Sequence, residues 1–251
     1  MWVTNLALSY LRRWDKKWHR FLWNRPKTIV SANTPTSART LASAHGWPTL
    51  DSWVAGETEF RDDAKRPAGV GVLWPAIDPL AWPAEPSSEE QEAWAKFERK
   101  PTTSYLVTIG RACFMKGGFE ALAVAQASSM PLVHVGGGET LALKKRATEM
   151  NVELIVMPRI NELELVSLVR HAHALIAVAR TEGFGLTPME AVMVKTPALV
   201  VDEAGFTHTI TDGLNGRRLP WPTDEDSIQQ WVEAIEQAGQ QSNREQWSKA
   251  G

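Results

Sequence analysis

Two glutamates, Glu182 and Glu190, stand on either side of the seven residues Gly-Phe-Gly-Leu-Thr-Pro-Met. Gly183 and Gly185, beside Glu182, leave backbone amides able to turn towards an anion, and the helix expected to follow would add its dipole. A diphosphate resting on those amides would lie close to two carboxylates that repel it. Something uncharged must therefore sit next to them. Sugar and ribose hydroxyls fit, because carboxylates accept their hydrogen bonds well. Glu190 has a purely structural alternative. With Thr187 as N-cap, Pro188 at the first helical position and Glu190 at the third, the stretch reads as a capping box whose carboxylate only satisfies backbone N–H groups. Glu182 lies before the helix and has no such role.

The cations that a diphosphate would need occur earlier in the chain. The loop IGRACFMKGG, residues 109–118, carries Arg111, Lys116 and the pair Gly117-Gly118 ahead of a helix. That combination suits a phosphate, although basic surface loops are common. The loop is neither a Walker loop nor GxGxxG, which argues against a dinucleotide-dependent oxidoreductase. VGGGE, residues 135–139, would allow close backbone approach to a ligand or serve a tight turn, and the turn is the expectation. His171 and His173 form HAH with no further convergent ligands, so no metal site is expected. His134 and His208 are lone histidines near the predicted sheet edge and read as packing or turn residues. Cys113 has no evident base partner and is not read as a nucleophile.

These loops need a scaffold, and the chain supplies a regular one from residue 104. Apolar runs alternate with helical patterns: SYLVTIG, GFEALAVAQAS, PLVHVGGG, TLALKKRATEM, VELIVM, ELELVSLVRHA, ALIAVA, TPMEAVMV and TPALVVD. Short Val/Ile/Leu runs between amphipathic helices predict a buried parallel sheet with crossover helices. The fold class is therefore α/β, doubly wound, with ligands bound beyond the carboxyl ends of the strands. Asp224-Glu225-Asp226 opens the last helix, where acids suit the dipole.

The first hundred residues are built differently and hold most of the 12 tryptophans. Residues 5–23 read as a basic amphipathic helix, with Leu8, Leu11, Trp18 and Leu22 at helical spacing. KTIVSANTPTSARTLASAHGW predicts a short strand, a turn and a helix from about Pro35. Residues 69–83 read as a strand ending in a proline-rich turn, and Pro86 and Pro101 bracket a charged helix. The regions are thus residues 1–85, a linker and helix at 86–103, an α/β domain at 104–238 and a polar tail at 239–251. A net charge of −2, 43% hydrophobic and 22% charged residues are ordinary for a globular chain and give no reason to expect nucleic acid. One cysteine permits no intrachain disulfide, and a cytoplasmic setting is the simplest reading. No apolar run approaches the length of a membrane span.

EGFGLTPME resembles the E-x7-E motif of retaining glycosyltransferases of family 4, which have the GT-B fold. TIGRACFMKGG, VHVGGGE, PRINELELVSLV and TPALVVDEAGFTHTITDGLNGRRL are similar to the family's other blocks, in unbroken order over about residues 104–238. VSANTPTSARTLA and VLWPAIDPLAW resemble the end of its N-terminal domain and the crossing into the C-terminal one; the likeness is to bacterial mannosyltransferases. The resemblance implies a GT-B type Rossmann-like C-terminal domain with a partial N-terminal, acceptor-side domain. It implies a nucleotide-diphosphate sugar as donor, GDP-mannose or a UDP-hexose, retention of configuration and no metal. Gly110, Arg111 and Lys116 would face the diphosphate, and the amides of Gly183, Phe184, Gly185 and Leu186 would hold phosphates and sugar. Glu182 would act at the donor sugar, Glu190 would bind ribose, and Arg159 and Ile160 would flank the base.

Lys195 stands where the family usually has glycine, and Pro158 where glycine is common in the base loop. The largest departure is length, since a GT-B enzyme has two Rossmann-like domains and only one is whole here. The acceptor would be a glycan or a lipid-linked glycan. Residues 8–23 could lie on the inner face of a membrane, dock on a partner chain that supplies the acceptor domain, or mediate self-association. The alternative function is a non-catalytic or partner-dependent module that binds the nucleotide sugar.

Overall fold

The computed structural model describes residues 30–45, 49–54, 70–112, 114–180, 182–240 and 246–247. The predicted helix at 5–23 and Cys113 lie outside the described residues. The chain divides into two compact units, Met1–Pro75 and Ala76–Gly251.

The first unit contains a three-stranded parallel sheet, β1 (Val30–Ala32), β2 (Thr49–Val54) and β3 (Val70–Val72), in the order β1-β3-β2. Helix α1 (Pro35–His45) begins where the sequence predicts. Thr34 caps it by accepting the Ser37 amide on Oγ1 at 3.1 Å, and Pro35 takes the first helical position, where its missing N–H costs nothing. Ala38 and Ala42 of α1 pack on Val70. The strand β2, TLDSWV, is not evident from the sequence, because its polar residues interrupt any apolar run.

The second unit is a six-stranded parallel sheet with helices on both faces. Its strands are β4 (Leu106–Ile109), β5 (Leu132–Val135), β6 (Leu154–Met157), β7 (Ala174–Ala177), β8 (Ala198–Val201) and β9 (Arg217–Leu219). The order β6-β5-β4-β7-β8-β9 places the first strand in the middle. The chain winds outwards through β5 and β6, then returns to the other side of β4 at β7. The topological switch point therefore lies between β4 and β7, where ligands of such sheets bind at the carboxyl ends.

Helices α3 (Gly118–Ala127), α4 (Thr140–Glu149) and α8 (Glu225–Ala238) contribute to the core on one face, with Leu122, Leu143 and Trp231 fully buried among its residues. Helix α5 (Glu162–Arg170) contributes Val166, Leu168 and Val169 to the other. Asp224 caps α8 and forms a capping box with Ser227, as its acidic start suggests. Two further helices, α6 (Leu186–Met193) and α7 (Phe206–Thr209), follow β7 and β8.

Residues 76–85, grouped with the first region in the sequence reading, lie in the second unit. Trp82 is buried in its core with Phe97, and helix α2 (Ser88–Lys96) follows with Ser87 as its N-cap. Arg170 of α5 ties this segment down. Its guanidinium donates to Glu90 at 2.7 and 3.0 Å, to Pro83 O at 2.8 Å and to Ala84 O at 2.8 Å. Glu90 is only 2% exposed, so removing Arg170 would strand a buried carboxylate, which is far costlier than losing a surface pair.

Candidate functional site

The loop after β4 is fastened to the glycine turn after β5. The Gly110 amide donates to Val135 O, Ala112 N to Gly137 O at 2.7 Å, and Glu139 N to Ala112 O at 2.6 Å. The VGGGE glycines thus serve a backbone-to-backbone seam. Beyond it, Phe114–Lys116 form one 3-10 turn. Lys116 reaches out of this turn, and its Nζ donates to Glu182 Oε2 at 2.7 Å.

The loop after β7 supplies the other half of that contact. Glu182 Oε1 accepts the amide of Gly183 at 3.1 Å and that of Phe184 at 3.5 Å. One ammonium and two backbone amides therefore converge on a single carboxylate at the switch point. Burial pushes this carboxyl up. The hydrogen bond and charge of Lys116 and the amides of Phe184 and Gly183 outweigh it and hold Glu182 below the usual range.

Helix α6 starts two residues earlier than a capping box on Thr187 requires. Its N-cap is Gly185 at φ 93°, a left-handed conformation that glycine adopts without cost, and no side chain caps the helix. A Cβ on Gly185 would sit 2.7 Å from the Phe206 ring. Leu186 is the first helical residue, Thr187 and Pro188 are already inside, and Glu190 lies in the second turn. The capping role for Glu190 is thus overturned. Glu190 is half-buried, makes no side-chain hydrogen bond among the described residues, and is pushed above the ordinary carboxylate range by burial alone.

Arg111 is exposed in the loop after β4. Arg159 and Ile160 lie beyond β6, two strands from β4, at the same carboxyl edge of the sheet. Arg159 is exposed, and its carbonyl accepts from Arg99 at 3.3 Å. Ile160 packs partly on the core. Direct contacts unite Lys116, Glu182, Gly183 and Phe184; Gly185, Leu186 and Glu190 continue that chain, and Arg111, Arg159 and Ile160 share its edge.

Three histidines, His134, His171 and His173, are structural or buried. His171 stacks on Trp94 with ring centroids 4.3 Å apart, and its Nδ1 lies 2.8 Å from Ser167 O. His173 Nε2 lies 2.8 Å from Ile235 O. His134 is not at a sheet edge but on β5 between β4 and β6; it is 2% exposed, and burial lowers its pKa. Lys195 adopts φ 63°, the left-handed conformation that explains why glycine suits its position.

Arg180, Trp221, Glu203 and Glu120 escaped the sequence reading. Arg180 donates to Phe114 O at 2.8 Å and to Glu120 Oε1 at 2.5 Å. Its guanidinium lies over the rings of Phe114 and Trp221, 3.9 and 4.6 Å from their centroids, and Trp221 Nε1 donates to Glu203. The available signal was a lone cation at the carboxyl end of an apolar strand, two residues before Glu182.

Comparison with known proteins follows the same lines. Residues 89–251 match the family model of glycosyl transferases group 1. The chain is 25% identical to alpha-1,3/1,6-mannosyltransferase alg-2 of Neurospora crassa over 242 residues, covering 83% of this chain and 48% of that protein. It is 28% identical to O-antigen chain mannosyltransferase RfbU of Salmonella typhimurium over 146 residues, 56% of this chain and 40% of that one. It thus spans about half or less of the length of either relative. The crystallised C-terminal domain of the group 1 glycosyl transferase LpcC from Francisella tularensis superposes with a TM-score of 0.56 at 19% identity, over 70% of this chain and 94% of that one. The fold is of GT-B type, and the chain belongs to the glycosyl transferases group 1 family.

Proposed function

We propose that this chain carries the donor half of a retaining, metal-independent hexosyltransferase of family 4, with Glu182 and Glu190 as the E-x7-E pair. The observation that carries the reading is the convergence of Lys116 and the Gly183 and Phe184 amides on one carboxylate at the switch point. That is an anion cradle, filled from within by Glu182. A donor diphosphate would draw on the same cation and amides, with Arg111 beside them and the dipole of α6 behind. Glu182, released in part from Lys116, would then accept hydrogen bonds from sugar hydroxyls. Glu190 suits the two ribose hydroxyls, being a desolvated acceptor that lacks a protein donor among the described residues. Arg159 and Ile160 would border the base.

In the transfer, the acceptor oxygen bonds to the anomeric carbon on the face from which the sugar–phosphate bond breaks. The acceptor proton passes to the departing phosphate oxygen. The mannosyltransferase relatives support transfer of a hexose from a nucleotide sugar. The donor would be GDP- or UDP-linked, the acceptor a glycan or lipid-linked glycan, and the setting the cytoplasmic side of a membrane. Residues 1–75 would belong to the acceptor-side domain. The second reading is a non-catalytic or partner-dependent nucleotide-sugar-binding module, in which a partner chain completes the site.

The test is thermal stability of the chain against GDP, UDP, ADP and NAD. A native-state ligand at a hundred times its Kd adds about 2.7 kcal/mol to stability. A selective rise with one nucleoside diphosphate supports the donor site and identifies the base. No rise with any of them removes the donor site from the isolated chain and leaves only the partner-dependent reading.

A further inference from the structure

The guanidinium of Arg180 sits where the two halves of the candidate site meet. Its own backbone N–H donates to Met115 O at 2.8 Å, and its Nη1 donates to Phe114 O at 2.8 Å. Both acceptors belong to the one turn that carries Lys116. Nη2 pairs with Glu120 in the first turn of α3, immediately after that turn. The flat face of the cation lies between Phe114 and Trp221, whose indole N–H is in turn held by Glu203 beyond β8. Phe114 is 61% exposed, so the ring is held over the cation without a core around it. The 3-10 turn has just three residues and no buried side chain of its own. Its position against the β7 loop therefore depends on these contacts rather than on burial.

We propose that Arg180 is a positioning residue: it locks the turn Phe114–Lys116 to the loop after β7 and so sets the ammonium of Lys116 on the carboxylate of Glu182. What that pair serves rests on the donor-site reading above; the placement itself does not. Arginine suits the task better than lysine. Its planar fork serves two acceptors at once while its face stacks on aromatic rings, and an ammonium cannot do both.

The experiment is a carboxyl-carbon NMR titration of Glu182 in protein labelled at glutamate, for wild type, Lys116→Met, Arg180→Met and Arg180→Lys. Lys116→Met gives the midpoint of Glu182 without its cation, which lies higher because only the two amides then oppose burial. Arg180→Met is expected to move the midpoint most of the way to that value, with Arg180→Lys between. A midpoint that stays at the wild-type value in Arg180→Met overturns the proposal, whatever happens to the melting temperature. If Arg180→Met does not fold, Glu120→Gln frees one arm of the fork and decides by the same rule. A second arm measures the Kd of GDP and UDP, where the Arg180→Met value should rise about tenfold. If wild type binds neither nucleotide, the donor reading fails, and the titration still decides whether Arg180 places Lys116.

Discussion

The loop before α6 and the helix itself each hold one carboxylate of the pair, in opposite electrical conditions. Glu182 has an ammonium and two amides, and it is held below the usual carboxylate range. Glu190 has no donor among the described residues, and burial pushes it up. A partnered group of this kind stabilises the empty protein. A desolvated and unpartnered one costs stability, and such a cost is retained where a ligand relieves it. On the donor-site proposal the contrast is a division of labour: Glu182 would keep the site assembled without substrate, and Glu190 would wait for hydroxyls.

The harshest way to break this contrast is to destroy the bend that separates the two groups. Gly185→Ala would force a side chain into the left-handed region, at roughly 1–2 kcal/mol, and onto Phe206, at roughly 1–3 kcal/mol. A loss of about 2–5 kcal/mol in chemical denaturation is expected, with Glu182 and Glu190 disturbed together. Next comes Glu190→Gln, expected to weaken nucleoside diphosphate binding about tenfold, or 1.4 kcal/mol, in calorimetry. Its melting temperature at pH 7 should equal or exceed wild type, because the desolvated charge is gone. A capping residue would have behaved in the opposite way. Glu182→Gln should sharpen the comparison from the other side. It frees Lys116 and the amides, so nucleoside diphosphate binding should tighten by roughly threefold, about 0.65 kcal/mol. The preference for the sugar-linked form over the bare diphosphate should disappear.

The pH dependence separates the two carboxylates by sign. Glu182 binds its proton less readily in the folded chain than unfolded. Its stabilisation is complete above the ordinary carboxylate range and is lost as pH falls through its lowered native value. Glu190 binds its proton more readily when folded. Its penalty is absent in acid, grows as pH rises from the ordinary value of 4.5 to the raised native one, and stays constant above. Melting curves from pH 3 to 8 should therefore show Glu182→Gln below wild type and Glu190→Gln at or above it at neutral pH, both converging in acid. The smallest expected effect is at Lys195→Gly. Relief of the left-handed backbone, about 1 kcal/mol, is partly offset by losing the exposed pair with Glu85, worth about 0–1 kcal/mol. A slight rise in melting temperature is expected, with no change in nucleotide affinity.

Much of the α/β domain was legible because its strands are continuous apolar runs and its helices carry strong caps, such as Asn161 with Glu164 on α5 and Asp224 with Ser227 on α8. The loops that hold Lys116 and Glu182 were legible because parallel sheets fix where such loops must lie. Helix α6 misled because Thr187, Pro188 and Glu190 carry a genuine capping pattern, yet tertiary packing of Gly185 on Phe206 starts the helix sooner. Local propensity lost to a contact between residues 21 positions apart. Residues 76–85 were misplaced for a similar reason: Arg170, far along the chain, holds their carbonyls. Arg180 was missed because its partners come from three separate segments, and no local pattern announces such a meeting.

Gly205 shows how the Glu182 loop is kept in shape. Its amide donates to Glu182 O at 2.9 Å, and a Cβ there would fall 2.5–2.7 Å from the backbone of Gly183 and Phe184. The segment after β8 is thus a mould against which the segment after β7 is cast. For protein engineering this makes the motif non-portable as a single stretch. Grafting residues 182–190 onto another sheet would carry the letters without the cast, whereas moving residues 203–209 with them would transfer the shape as well.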